Sequence, residues 1–127
     1  MLSKSTDFQL LLYVPQELYA PCVSFYQDAL GLNPFYCWDE GPEDRGVKYR
    51  VAGAVLVLLT QENPFPEYGP NHFQIEVADV EAVYESIRSH PGVKITQPPF
   101  SRSYGWRMFR MVDPAGNHIN VYTVPKD

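Results

Sequence analysis

The stretch "GWRMFRMVDPAGNHINVY", Gly105 to Tyr122, reads as strand, tight turn, strand. Asp113-Pro114-Ala115-Gly116-Asn117 carries the turn chemistry, because Asp and Asn bond their own backbone, Pro fixes φ and Gly admits positive φ. Beyond the turn the residues alternate, His118, Asn120 and Tyr122 toward one face and Ile119 and Val121 toward the other. One face suits burial against apolar side chains, while the opposite face holds an imidazole, an amide and a phenol.

Working outward, the same order of elements occurs twice. "FQLLLYV" (8–14) is apolar enough to be a buried strand. In "PQELYAPCVSFYQDALG" the pattern predicts a helix with Pro21 near its start, apolar positions Cys22, Val23, Tyr26, Ala29 and Leu30, and Gly31 as the stop. Three strands are expected next, "FYCWD" (35–39), "VKYRVA" (47–52) and "AVLVLLT" (54–60). "QENPFPEYGP" (61–70), with three prolines and a glycine, then reads as a connection. The second round runs "HFQIEV" (72–77), a helix through "VEAVYESIRS" with Asp79 as N-cap and Pro91-Gly92 as stop, and strands "VKIT" (93–96), "WRMFRMV" (106–112) and "HINVYT" (118–123). His90 is read as a cationic cap at the end of that helix.

The expectation is therefore an α+β fold of two βαβββ modules, residues 1–61 and 71–127 with a linker at 62–70, making one domain over 1–127. A shift of 63 residues superposes Gln9 on His72, Val14 on Val77, Gly53 on Gly116 and Thr60 on Thr123. The match lapses in the middle, where the longer connection from Pro15 to Pro21 is expected to delay the first helix. A ferredoxin-like dimer of βαβ-type halves is the alternative, and "DPAGN" between the last two strands argues against it.

Composition narrows the function classes. The chain has 127 residues, enough for one core without disulfides or a structural metal. A formal charge of −5 and no Lys/Arg run argue against a nucleic-acid partner. No apolar segment is long enough to span a bilayer. Cys22 and Cys37 form neither a metal-ligand spacing nor a disulfide framework, and residues 1–20 lack signal-peptide character, so a reduced, soluble, cytoplasmic protein is expected. Neither cysteine has an obvious basic neighbour to make it a nucleophile. The 14% of aromatic residues suits either a ring-built core or a ligand pocket.

Strand parity sorts the side chains. Phe73, Ile75 and Val77 are expected under the second helix, leaving His72, Gln74 and Glu76 on the other face beside His118, Asn120 and Tyr122. The first module offers Gln9, Leu11 and Tyr13 with Val55, Val57 and Leu59, a far more apolar set. One apolar wall and one hydrogen-bonding wall suit a small organic molecule. A polar strand face turned to water is the plainer alternative.

"FYQDALGL" (25–32) after a first strand, a His opening the fifth strand, and "GWRMFRMVDPAGNHINVY" near the end resemble the vicinal oxygen chelate superfamily, which includes glyoxalase, bleomycin-resistance and extradiol dioxygenase proteins. The resemblance covers nearly the whole chain. It implies two βαβββ modules curling into a mixed sheet or partial barrel around a cleft, helices outside, commonly paired in a homodimer. Enzymes of the superfamily hold a divalent metal with one residue from the first and one from the fourth strand of each module. Carried onto this sequence, those places fall on Gln9, Val57, His72 and Asn120. Val57 has no lone pair and Asn120 only a neutral carbonyl, so the expectation is no metal cofactor. The alternative is a divalent ion such as Zn, Ni, Fe or Mn on Gln9, His72 and further groups.

In related drug-binding members a "WG" or "YG" lies where "SRSYGWRMF" (101–109) falls here. By that resemblance Trp106 and Trp38 would stack on a planar ligand, with Arg102 or Arg107 meeting an anionic group. The expected ligand-binding set is thus Gln9, Tyr13, Val57, His72, Gln74, Glu76, Trp106, Arg107, Asn120 and Tyr122. The favoured function is a homodimeric binder of a small organic molecule. The alternatives are a metal-dependent lyase, isomerase or dioxygenase of the same superfamily, acid/base chemistry by His72 and Glu76 without metal, and a structural dimer with a vestigial cleft.

Overall fold

The computed structural model describes residues 2–60 and 70–126. The chain divides into two compact units, Met1–Gly69 and Pro70–Asp127, each built around one four-stranded mixed sheet. Most of the connection expected at 62–70 lies outside the described residues.

In the first unit the strands are β1 (Gln9–Tyr13), β2 (Pro34–Asp39), β3 (Arg45–Val51) and β4 (Ala54–Leu59), in the order β1-β4-β3-β2. β1 runs parallel to β4, with Gln9 opposite Val55 and Leu11 opposite Val57. β3 and β4 form a hairpin closed by Ala52-Gly53, both at positive φ (50° and 83°), as a two-residue primed turn demands. β1 is less buried than its composition predicts. Leu12 is fully buried, but Gln9 is exposed and Leu11 is 40% exposed, because only alternate residues reach the core.

The first helix, α1 (Gln16–Ser24), begins directly after Pro15 and holds Pro21 in its interior, which corrects the late start expected from the Pro15-to-Pro21 spacing. Pro21 has no N–H to give, yet the helix continues past it. Its last turn widens into a π segment, Phe25–Ala29, in which Leu30 N bonds Phe25 O at 3.0 Å, and Gly31 at φ 71° ends it. Cys22, Phe25 and Tyr26 share one stripe and are buried, Tyr26 lying 6.2 Å from the ring of Tyr49 on β3.

The second unit repeats this plan with β5 (His72–Glu76), β6 (Lys94–Ser101), β7 (Arg107–Val112) and β8 (His118–Thr123), in the order β5-β8-β7-β6. β5 runs parallel to β8, and His72 faces His118 in register. The pairing Gln9–Val55 therefore maps onto His72–His118 by the same 63-residue shift that superposes the sequences. α2 (Val80–Ile87) starts at Asp79, whose Oδ1 accepts from Ala82 N at 3.2 Å. Thr123 Oγ1 accepts from Val80 N and donates to Val77 O, both at 2.9 Å, tying the helix start to the end of β8. Tyr84 packs edge-on against Phe109 at 5.2 Å, so the face of Phe109, Met111, Ile119 and Val121 is the buried one.

Two further expectations are corrected. β6 continues through Pro98-Pro99 to Ser101, well past "VKIT", because it is an edge strand whose bulges at Ile95/Gln97 and Gln97/Phe100 absorb residues without a ladder N–H. His90 lies two residues past Arg88, the C-cap of α2, and its Nδ1 accepts the Gly92 N–H (3.1 Å), so its ring closes its own turn and not the end of the helix.

Candidate functional site

The turn 113–117 positions the site in the second unit. The Asp113 carboxylate accepts from Ala115 N and Asn117 N at 2.9 Å each and from Asn117 Nδ2 at 2.8 Å. Asn117 Oδ1 in turn accepts from Asn71 N at 2.8 Å, and His118 N donates to Asn71 O at 2.8 Å. Asp113 and Asn117 are buried, so this network replaces water for every group it ties down. It fixes the starts of β5 and β8 side by side and sets their register.

With register fixed, the face opposite α2 is determined. His72 and His118 lie together, their rings parallel at 4.4 Å and 6°. Gln74 pairs with Asn120 and Glu76 with Tyr122. Trp106, just before β7, lies flat on Tyr122 at 4.6 Å and 6°, and Tyr104 meets Trp106 edge-on at 5.3 Å. The Arg102 guanidinium sits 5.2 Å over the Tyr104 ring. His72, Gln74, Glu76, Trp106, Asn120 and Tyr122 thus share one surface. It spans about 13 Å along the strands at about 3.3 Å per residue, with imidazoles at one end and rings at the other.

Arg107 is not with them. It points to the helix face, where its Nε donates to Glu81 Oε1 of α2 at 2.6 Å. Arg110 is a cation on the polar face, opposite Asn120 in register, its Nη1 near Gln97 Oε1 at 3.4 Å and its guanidinium 5.2 Å from the Phe100 ring. Sequence reasoning missed Arg110, because its face follows from the register of β7 against β8, which alternation within either strand does not give. Met108, paired with Tyr122, lies on the same face and is buried.

Gln9, Tyr13 and Val57 belong to the first unit. Gln9 is exposed and donates from Nε2 to Asp7 Oδ2 at 3.0 Å, a bond that holds the Asp7 carboxyl below its ordinary range. Val57 is buried at 2% exposure, and Tyr13 is partly buried. Lys48 and Arg50 of β3 stand opposite Val57 and Val55, adding cations to a face expected to be apolar. Trp38 lies against Gly46, where a Cβ would fall inside its ring, and donates from Nε1 to Asp44 Oδ1 at 3.0 Å.

The four positions at which the superfamily's enzymes bind metal hold here an amide, an isopropyl group, an imidazole and a second amide. Among the described residues no three His, Cys, Asp or Glu side chains gather as a metal would need. A donor set with one imidazole and no carboxylate neither neutralises a divalent ion nor fills its first shell, so these residues do not fit the metal. Among the described residues no helix is long and apolar enough to cross a membrane.

The model of the Glyoxalase/Bleomycin resistance protein/Dioxygenase superfamily matches residues 14–121. No curated protein matches the chain. Among solved structures, a lactoylglutathione lyase from Agrobacterium tumefaciens is 20% identical with a TM-score of 0.71, over 94% of this chain and 93% of that one. TioX from Micromonospora sp. ML1 is 14% identical with a TM-score of 0.78, over 94% and 98%. A superfamily member from Sphaerobacter thermophilus DSM 20745 is 21% identical with a TM-score of 0.71, over 97% and 100%. At these identities the likeness is one of fold, and with the match across most of its length, the chain belongs to the Glyoxalase/Bleomycin resistance protein/Dioxygenase superfamily.

Proposed function

We propose that this protein is a homodimeric, cytoplasmic binder of a small planar organic molecule, acting without a catalytic metal. The observation that carries the reading is the Trp106–Tyr122 stack, 4.6 Å apart and parallel, on the same face as Gln74, Asn120 and Arg110. Flat rings hold a planar ligand through dispersion and quadrupole contact. The amides and the guanidinium beside them orient polar substituents, and Arg110 or Arg102 meets an anionic one. The deficit of anionic donors at the superfamily's metal positions supports the same reading over a metal-dependent lyase, isomerase or dioxygenase.

The test is a panel of planar aromatic and polycyclic compounds, scored by thermal shift and by quenching of Trp fluorescence. A ligand at 100 times its Kd stabilises the fold by about 2.7 kcal/mol. Trp106→Ala is expected to weaken binding at least tenfold, about 1.4 kcal/mol, while Arg107→Ala leaves it unchanged. Binding indifferent to Trp106→Ala would remove the proposed site.

A further inference from the structure

Strand β2 stands apart from the other described strands. Of Pro34–Asp39 only Trp38 is even partly buried, and Phe35 and Tyr36 are 45% and 55% exposed. It is an edge of the first sheet, and its outer side is unpaired among the described residues. Arg45 O accepts from Thr60 N on the β4 side, and Glu40 N donates to Asp44 O across the β2–β3 connection. The alternation of an antiparallel ladder then turns the peptide groups of Tyr36 and Trp38 toward β3 and those of Cys37 and Asp39 outward. Free edges of this kind are normally blunted. The corresponding edge of the second sheet is: β6 carries Lys94, Pro98, Pro99 and two bulges. β2 offers an apolar, aromatic edge whose centre keeps its outward N–H.

We infer that β2 pairs antiparallel with β2 of a second copy of this chain, with the two-fold axis at Cys37. This rests on the homodimer proposed above and names its surface. Self-pairing must be self-complementary under the two-fold, and the charges meet that condition. One end of β2 runs into the acidic connection of Asp39, Glu40, Glu43 and Asp44. The other end carries Arg50, its guanidinium 4.4 Å over the Phe35 ring. With Cys37 opposite Cys37, the antiparallel register sets Asp39 of each copy against Phe35 and Arg50 of the other, and Tyr36 against Trp38 of the other. A parallel pairing would set acid on acid. The aromatic cross-strand pairs and the two charge pairs stabilise the same register.

Sedimentation and a short bis-maleimide cross-linker test this, since Cys22 is buried and Cys37 is exposed. The expected result is a dimer that cross-links in high yield through Cys37. Cys37→Pro removes an outward N–H and leaves the β2–β3 ladder intact, so it should raise the dimer dissociation constant at least tenfold with an unchanged circular dichroism spectrum. Asp39→Arg should do likewise, and Asp39→Arg with Arg50→Asp should recover the dimer. A monomeric wild-type protein overturns both this inference and the homodimer. A dimer that fails to cross-link at Cys37 and ignores Asp39→Arg overturns the β2 pairing and leaves the homodimer standing.

Discussion

Asn117 joins two strands with one side chain. Its Oδ1 accepts from Asn71 N, and its Nδ2 donates to Asp113, all in a buried turn. Asn117→Ala takes the acceptor from the Asn71 N–H and removes one donor from the buried Asp113 carboxylate. The expected cost is about 3 kcal/mol, read as a lower urea midpoint. Tyr49 makes a different kind of prediction. Its hydroxyl donates to Gln27 Oε1 at 3.0 Å, and burial pushes its ionisation above the ordinary phenol range, with Tyr19, Cys22 and Asp28 adding to the shift. Because the folded state holds the proton more tightly than the unfolded one, this stability is complete below the unfolded pKa of about 10 and is lost as pH rises above it. Tyr49→Phe should cost about 1 kcal/mol at neutral pH through the lost hydrogen bond. It should also flatten the fall in melting temperature above pH 10.

At the scale of elements, the two hairpins solve the same problem differently. The β7–β8 turn uses five residues and its own hydrogen-bond network, whereas the β3–β4 turn uses only Ala52 and Gly53. Ala52 sits at φ 50°, where a Cβ is disfavoured and Asn is tolerated. Ala52→Asn should therefore stabilise the protein by about 0.5–1 kcal/mol, as a higher guanidinium midpoint with an unchanged slope. The strands were legible from alternation and turn residues, and β8 has the bounds expected of "HINVYT". The start of α1 is not legible locally, because Pro21 has the character of a start signal. A proline inside a helix forfeits one hydrogen bond, and the buried stripe of Cys22, Phe25 and Tyr26 outweighs that loss. The far end of β6 is hidden for the related reason that Pro98-Pro99 has the character of a break, yet an edge strand tolerates it.

At the scale of the molecule, two of the four positions at which the superfamily's enzymes bind metal lack the usual donor in this chain, Val57 being aliphatic and Asn120 a neutral amide. Val57 is moreover buried, so no solvent ligand reaches a metal through its side chain's place. Thermal melts after EDTA, and after Ni, Zn, Mn or Fe is added back, are expected to coincide with the untreated protein. A midpoint that falls with chelator and returns with one ion would show that other groups complete a metal site.

The sequence by itself determined the repeat and the polar face. The 63-residue shift and the alternation of His118, Asn120 and Tyr122 place the same residues opposite one another that the strand register does. That legibility is local, since turn chemistry and a period of two are properties of neighbouring residues. Only the tertiary structure decided that Arg107 serves α2 while Arg110 serves the polar face, and that Trp106 lies flat on Tyr122. It alone revealed β2 as an exposed aromatic edge. Those outcomes depend on which strand pairs with which and in what register, and pairing between residues distant in the chain is fixed by packing rather than by any short stretch of sequence.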